Sequence, residues 1–466
     1  MKSTLKFGIF ALALAASVTS CKKDDPVDQP VDNSTVFTES TLKDEDGNVV
    51  ETILTVDDRG EGIGTRTLTK DKTWVLDGFV FVNSGQTLTI EAGTVIKGKS
   101  GQGENASALI VARGGKIEAN GTATMPIVMT AEADKIRQKA DGTGFENGGN
   151  LNPTTSGLWG GLIILGNADV TSATTERAIE GIPTSEKRGL YGGNDDNDNS
   201  GTVKYVSIRH GGTDIGAGNE INGITLGGVG AGTTIENIEI IANADDGIEF
   251  FGGNVNVKYL LVTNAGDDAI DYDEGYKGMV QFAFVYNPGD RGGEHDGGPS
   301  DCEDCMPYAT PVFANITSIN TNNSGRAITF RDNAGGEYWN SIFQGYSKAI
   351  DIEDLNSGED SEARFQAGDL KLNNNIHWNM ASNDAANQII TSGDITGTDL
   401  LGGTSGNQVI DPMLNNGVIG IGDAAVWPAG LPAFFQQVNY KGAFDPAAGS
   451  RWIDGWTATD VFSVIQ

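Results

Sequence analysis

The sequence predicts an all-β fold: a single right-handed parallel β-helix of about 22-residue coils, with loop insertions and a C-terminal aromatic cap. Three observations carry that prediction. The stretch from Thr234 to Gly298 stacks on itself in rows of 22 residues, aligning Ile238 with Leu260 and Phe282, and Ile240 with Val262 and Phe284. A fixed period in this range marks a solenoid, whose repeats bury their apolar faces against one another. Within each row the apolar residues alternate, as in Ile238-Glu239-Ile240, so the repeating unit is strand and not helix. Finally, 65 glycines against 13 prolines over 466 residues suit one elongated β domain whose short strands are separated by Asn, Gly and Asp turns.

Residues 1–20 have the form of a lipoprotein signal peptide: Lys2 and Lys6, an apolar run from Phe7 to Ala16, then small residues. The run is too short to span a membrane. Val18-Thr19-Ser20-Cys21 resembles a bacterial lipobox, which implies cleavage before Cys21 and lipidation of its thiol. Acyl chains on that residue would hold the protein at a membrane. Lys22-Lys23-Asp24-Asp25 resembles the export signal of Bacteroidetes-type surface lipoproteins, which implies the outer face of the outer membrane. Residues 21–34 then read as the lipidated Cys and a flexible tether, and residues 35–70 as a β lead-in or N-terminal cap.

The helix proper is expected over residues 71–424. Gly78-Phe-Val-Phe-Val-Asn-Ser-Gly-Gln-Thr-Leu-Thr-Ile90, Leu109-Ile-Val-Ala-Arg-Gly-Gly-Lys-Ile117 and Leu158-Trp-Gly-Gly-Leu-Ile-Ile-Leu165 follow one another as short strands with tight turns. Together with the closing Gly442-Ala-Phe-Asp-Pro446 and Trp452-Ile-Asp-Gly-Trp456, they resemble a family of secreted or lipid-anchored right-handed β-helix proteins of Bacteroidetes. The resemblance implies the fold from about Trp74 to Gln466; it brings no catalytic residues. Insertions at 132–156, 183–201 and 287–311 interrupt the coils and are expected as loops on one side. Residues 425–466, with Trp427, Phe434, Phe435, Trp452 and Trp456, are expected to cap the open end of the solenoid.

The net charge of −32 argues against nucleic acid and against binding anionic lipid headgroups by charge, and is compatible with cation binding. Asp246, Asp268 and Asp290 recur at the coil period, beside Asp245 and Asp267, and Glu249 sits one period before Asp271. Neighbouring coils lie about 4.8 Å apart, so such carboxylates face each other as like charges. One pKa then rises, or a cation settles between them. Three roles stay open for this ladder: turns that cap their own backbone, a Ca2+ site, or acid catalysis on a glycan. The metal candidates are Asp246, Asp268 and Asp271, with Asp196 and Asp198 in an EF-hand-like half loop. The catalytic candidates are Asp246, Asp268, Asp290, Arg291 and His295, with Arg291 as base or uronate clamp and His295 as acid. Cys302 and Cys305 are expected to form a disulfide, as the remaining thiols of an exported chain. No Ser/His/Asp order, P-loop or HExxH motif occurs.

These features predict a cell-surface outer-membrane lipoprotein that binds glycan, Ca2+ or a protein partner without catalysis. The alternatives are a polysaccharide lyase or polygalacturonase-like hydrolase, or an accessory subunit of an outer-membrane nutrient uptake complex.

Overall fold

The computed structural model describes residues 34–465, apart from 173, 175, 217, 218, 300, 301, 303, 356, 381, 382, 385, 386, 389–393, 402–404 and 421–423. The expected signal peptide, Cys21 and nearly all of the tether lie outside the described residues. No described helix is long and apolar enough to cross a membrane.

The chain winds into a parallel β-helix built on a 17-stranded and a 9-stranded sheet. In the central coils the long strands Gly201–Arg209, Thr234–Ile241, Asn256–Thr263, Met279–Tyr286 and Val312–Ile319 pair in parallel, one coil to the next. The shorter strands Ile224–Gly227, Ile248–Phe251, Ile270–Asp273, Glu294–Asp296 and Arg326–Arg331 do the same in the second sheet. Each long strand bends at one left-handed residue: Tyr205 (φ 49), Asn237 (φ 55), Tyr259 (φ 62), Phe282 (φ 61) and Asn315 (φ 57). The bend changes which parity faces inward, so a single strand lines two sides of the core. That core is continuous, with Ile238, Ile240, Leu260 and Val262 of the first sheet packed toward Ile248, Phe250, Ile270 and Tyr272 of the second.

The lead-in is an antiparallel hairpin, Val36–Lys43 with Val49–Asp57. Its second strand pairs in parallel with Thr73–Asp77 and buries Val56 in the core, which closes the first coil.

The 22-residue register is correct from one long strand to the next as far as Val262, where Ile238 pairs with Leu260 and Ile240 with Val262. It then slips by one residue. Leu260 pairs with Ala283 and Val262 with Val285, so Phe282 and Phe284 leave the predicted line. The extra residue lies in the turn between Asp273 and Met279, which swings Tyr276 inward to stack on Phe250 at 4.3 Å. Phe284 points outward instead and packs against Phe444 at 5.1 Å.

That contact explains the C-terminal segment, which covers something other than the end of the solenoid. Residues 426–465 run back along the outer flank of the long strands. Val426 is bonded to Asn340, Ala443 to Thr317, and Ala458 and Thr459 to Glu239. Val418, Phe444 and Ile453 cover the outward apolar residues Leu261, Phe284 and Ile319. The last coils are closed by Met380, Ile395 and Leu400, which join the main core.

Candidate functional site

The outward face of the second sheet carries the carboxylates. In the turn that precedes each short strand, paired acids stack from coil to coil. The Asp268 N–H donates to Asp246 Oδ1 at 2.9 Å, and the Arg291 N–H donates to Asp268 Oδ1 at 2.6 Å. Each inner aspartate therefore ties its coil to the next through one oxygen, which is the structural share of its role.

The one-residue slip also corrects the ladder. Arg291, and not Asp290, stands in line with Asp246 and Asp268; Asp290 continues the outer line of Asp245 and Asp267. A cation thus follows two acids where a third acid was expected. Its guanidinium lies 3.1 Å from Asp268, 3.0 Å from Asp290 and 3.2 Å from Glu294.

Along the strands themselves, Glu249, Asp271 and Glu294 pair in register, followed by Thr329 and Asp351. Two residues further on lie Asp273 and Asp296. Arg331 serves one end of this field, at 2.8 Å from Glu294 and 2.7 Å from Asp296, and Arg326 binds Asp351 at 2.6 Å. The other end has no such partner. Asp246, Glu249 and Asp271 are buried and bring carboxylate oxygens within 4.8 Å of one another. Among the described residues none of the three has an ion pair to a Lys or Arg. Asp271 Oδ1 has no hydrogen bond, and neither has Oδ1 of the buried Asn222, whose amide nitrogen donates to Glu249.

Burial is the main cause of the electrostatics here. It raises Asp246, Glu249 and Asp271 well above the usual carboxylate range, with Asp268, Glu180 and Glu249 respectively as the leading like-charge neighbours. Asp268 is pushed to about 8 by burial and by Glu294, against the pull of Arg291. Such a group of raised acids either holds protons near neutral pH or gathers a cation. The donor set, carboxylate and amide oxygens only, suits a hard ion such as Ca2+.

Two expected participants are elsewhere. His295 faces the core, fully buried, with its ring stacked 4.1 Å from Tyr272 and Nε2 2.6 Å from Tyr338 Oη. Burial lowers it to about 3, so it is a neutral core residue and cannot serve as an acid at the sheet face. Asp196 binds Lys277 at 3.0 Å and the Asp169 N–H, and Asp198 accepts from Asn167 at 3.1 Å. Among the described residues neither belongs to a carboxylate group close enough to share an ion. Cys302 and Cys305 are joined in a disulfide within the third insertion.

Sequence reasoning missed Glu294 and Asp296 because the 22-residue row puts them one place out, and Arg331 because the third insertion separates it by 35 residues from Asp296, its partner in the sheet. Counting 23 residues from Asp271 reaches Glu294, and from Asp273 reaches Asp296.

The fold and this face define a class: a parallel β-helix with an ionisable outer sheet face. The sequence profile of the pectate-lyase-like β-helix domain matches residues 60–411, more than half of the chain, and the protein belongs to that family. No curated protein matches the chain. Among solved structures, the Dettilon tailspike protein (gp208) aligns with 69% of this chain at 10% identity and a TM-score of 0.24, a likeness too distant to carry an argument. The chain spans 61% of that tailspike chain.

Proposed function

We propose that the protein binds a polysaccharide along the outer face of its second sheet, as a lipid-anchored protein of the bacterial outer surface. The observation that carries this reading is the meeting of two fields on one face. Arg291, Arg326 and Arg331 line an open pocket of about 340 Å³ with Thr329, Asp351 and Glu353. Beside it lies the uncompensated group Asp246, Glu249 and Asp271. Guanidinium groups bind carboxylates through paired hydrogen bonds, and Ca2+ held by the acids would bridge to others. A uronate-bearing chain engages both. With a net charge of −32, an anionic glycan is repelled until the divalent ion is present, so binding depends on Ca2+. The pectate-lyase-like family supports a glycan ligand. A glycan-array screen of the folded protein, with Ca2+ and with chelator, tests this: Ca2+-dependent retention of uronate polymers is expected, and retention of none overturns it.

A second reading, hydrolysis or elimination on the same glycan, is favoured by Asp268, whose carboxyl is pushed up to about 8 by burial and by Glu294 against the pull of Arg291. Release of reducing ends or unsaturated uronates from the retained polymers would establish it. A role as the accessory subunit of an uptake complex is tested by co-purification from solubilised outer membrane.

A further inference from the structure

On the opposite flank, under the C-terminal segment, lies a cavity of about 430 Å³ walled by Ile136, Phe145, Trp456, Val461 and Phe462, with Arg209 at its floor. Arg209 is only 5% exposed. Its Nε donates to Ser207 Oγ at 2.7 Å, and neither Nη carries a hydrogen bond or an ion pair among the described residues. The ring of Phe462 stands 6.0 Å from its guanidinium carbon.

The arginine is held rigidly from behind. Ser207 Oγ donates to Glu239 Oε2 at 2.5 Å, and Glu239 accepts the N–H groups of Ala458 and Thr459 at 2.8 and 2.7 Å. Trp159 Nε1 donates to the Arg209 carbonyl at 2.7 Å. Glu239 is thereby occupied with the C-terminal segment and lies outside ion-pair distance of the guanidinium. A fixed guanidinium fork with free Nη donors, set in an aromatic chamber, matches a planar carboxylate.

We infer that this cavity is a second binding site, separate from the acidic sheet face, for a small monoanionic carboxylate carried on a flat apolar body. The walls set the body: three aromatic rings offer stacking faces and one polar group fixes orientation. The rim sets the charge. Glu146, exposed and paired with Arg137 at 2.9 Å, occupies that cation, and among the described residues lining the cavity no second one is free, so a dianion is disfavoured. Because Trp456, Val461 and Phe462 belong to the C-terminal segment, a bound acid also fastens that segment to the helix.

The test is calorimetric titration of the folded protein with phenylacetate and with its neutral amide, phenylacetamide, at low ionic strength. Phenylacetate is expected to bind at least tenfold more tightly than the amide, and Arg209→Gln to abolish that difference. Val461→Trp fills the cavity from a residue that is 59% exposed, so its fold is retained and its binding lost. That variant decides the matter should Arg209→Gln fail to fold. Equal binding of acid and amide, no binding of either, or full binding by Val461→Trp overturns the inference.

Discussion

Asp246, Glu249 and Asp271 should make the protein less stable as the pH rises above neutrality in the absence of divalent ions. Three buried carboxylates whose oxygens lie within 4.8 Å, with no Lys or Arg among the described residues paired to them, cannot all be ionised, so the folded state holds at least one proton there. An acid whose folded pKa is raised binds more protons folded than unfolded, and its stabilising contribution is lost as the pH climbs toward the folded value. Histidines oppose this slope only near its start. Burial lowers His210, His295 and His377, the last two to about 3, so their contribution grows as the pH passes the ordinary histidine value of 6.5 and levels off about one unit above it. Between pH 6.5 and about pH 8, one retained proton corresponds to a loss of about 2 kcal/mol, at about 1.4 kcal/mol per pH unit. Asp268, held to about 8, slopes the same way, so this is a floor. For a chain of this size about 1 kcal/mol moves Tm by about 1 °C, giving a fall of at least about 2 °C. Circular dichroism melts in chelator at the two pH values measure it, and Asp271→Asn should flatten the slope. A Tm that stays level or rises from pH 6.5 to 8 in chelator would refute the reasoning.

The remaining expectations follow from the same geometry. Ca2+ should raise Tm more than Mg2+, by the equivalent of about 2.7 kcal/mol at a hundredfold excess over Kd, and Asp271→Asn should remove most of that shift in a thermal titration. Val262→Asp places a charge at a 1% exposed core position between Ile240 and Val285, and circular dichroism should find the variant unfolded. Glu239→Ala leaves the N–H groups of Ala458 and Thr459 without their acceptor, a cost of about 1–3 kcal/mol, and hydrogen exchange over residues 456–465 should accelerate while the coils stay protected.

Much of the architecture is legible in the sequence because a solenoid repeats its own constraints. Ile238 over Leu260 and Glu249 over Asp271 are both read from spacing alone and both pair in the sheets. The reading breaks where one turn gains a residue. Nothing in the pattern Phe282-Ala283-Phe284 distinguishes an inward from an outward phenylalanine, since the C-terminal segment buries the outward one as completely as the core buries Ala283. The same slip turned an expected third aspartate into Arg291 and hid Glu294 and Asp296. His295 was misplaced for a related reason: beside Arg291 and Asp296 in sequence, it alternates to the opposite face of the strand. Contacts between distant segments, such as Glu239 with Thr459, leave no local signature at all.

The proposed glycan site joins the arginine and carboxylate fields of the second sheet. Affinity electrophoresis through polygalacturonate with Ca2+ is the test, comparing the parent with an Arg326→Ala/Arg331→Ala double variant, each run well below its own melting temperature because the substitutions leave Asp351, Glu294 and Asp296 without their cations. The parent should be retarded, chelator should release it, and the variant should migrate nearly as it does in a gel without polymer. Equal retardation of parent and variant would contradict the proposed site.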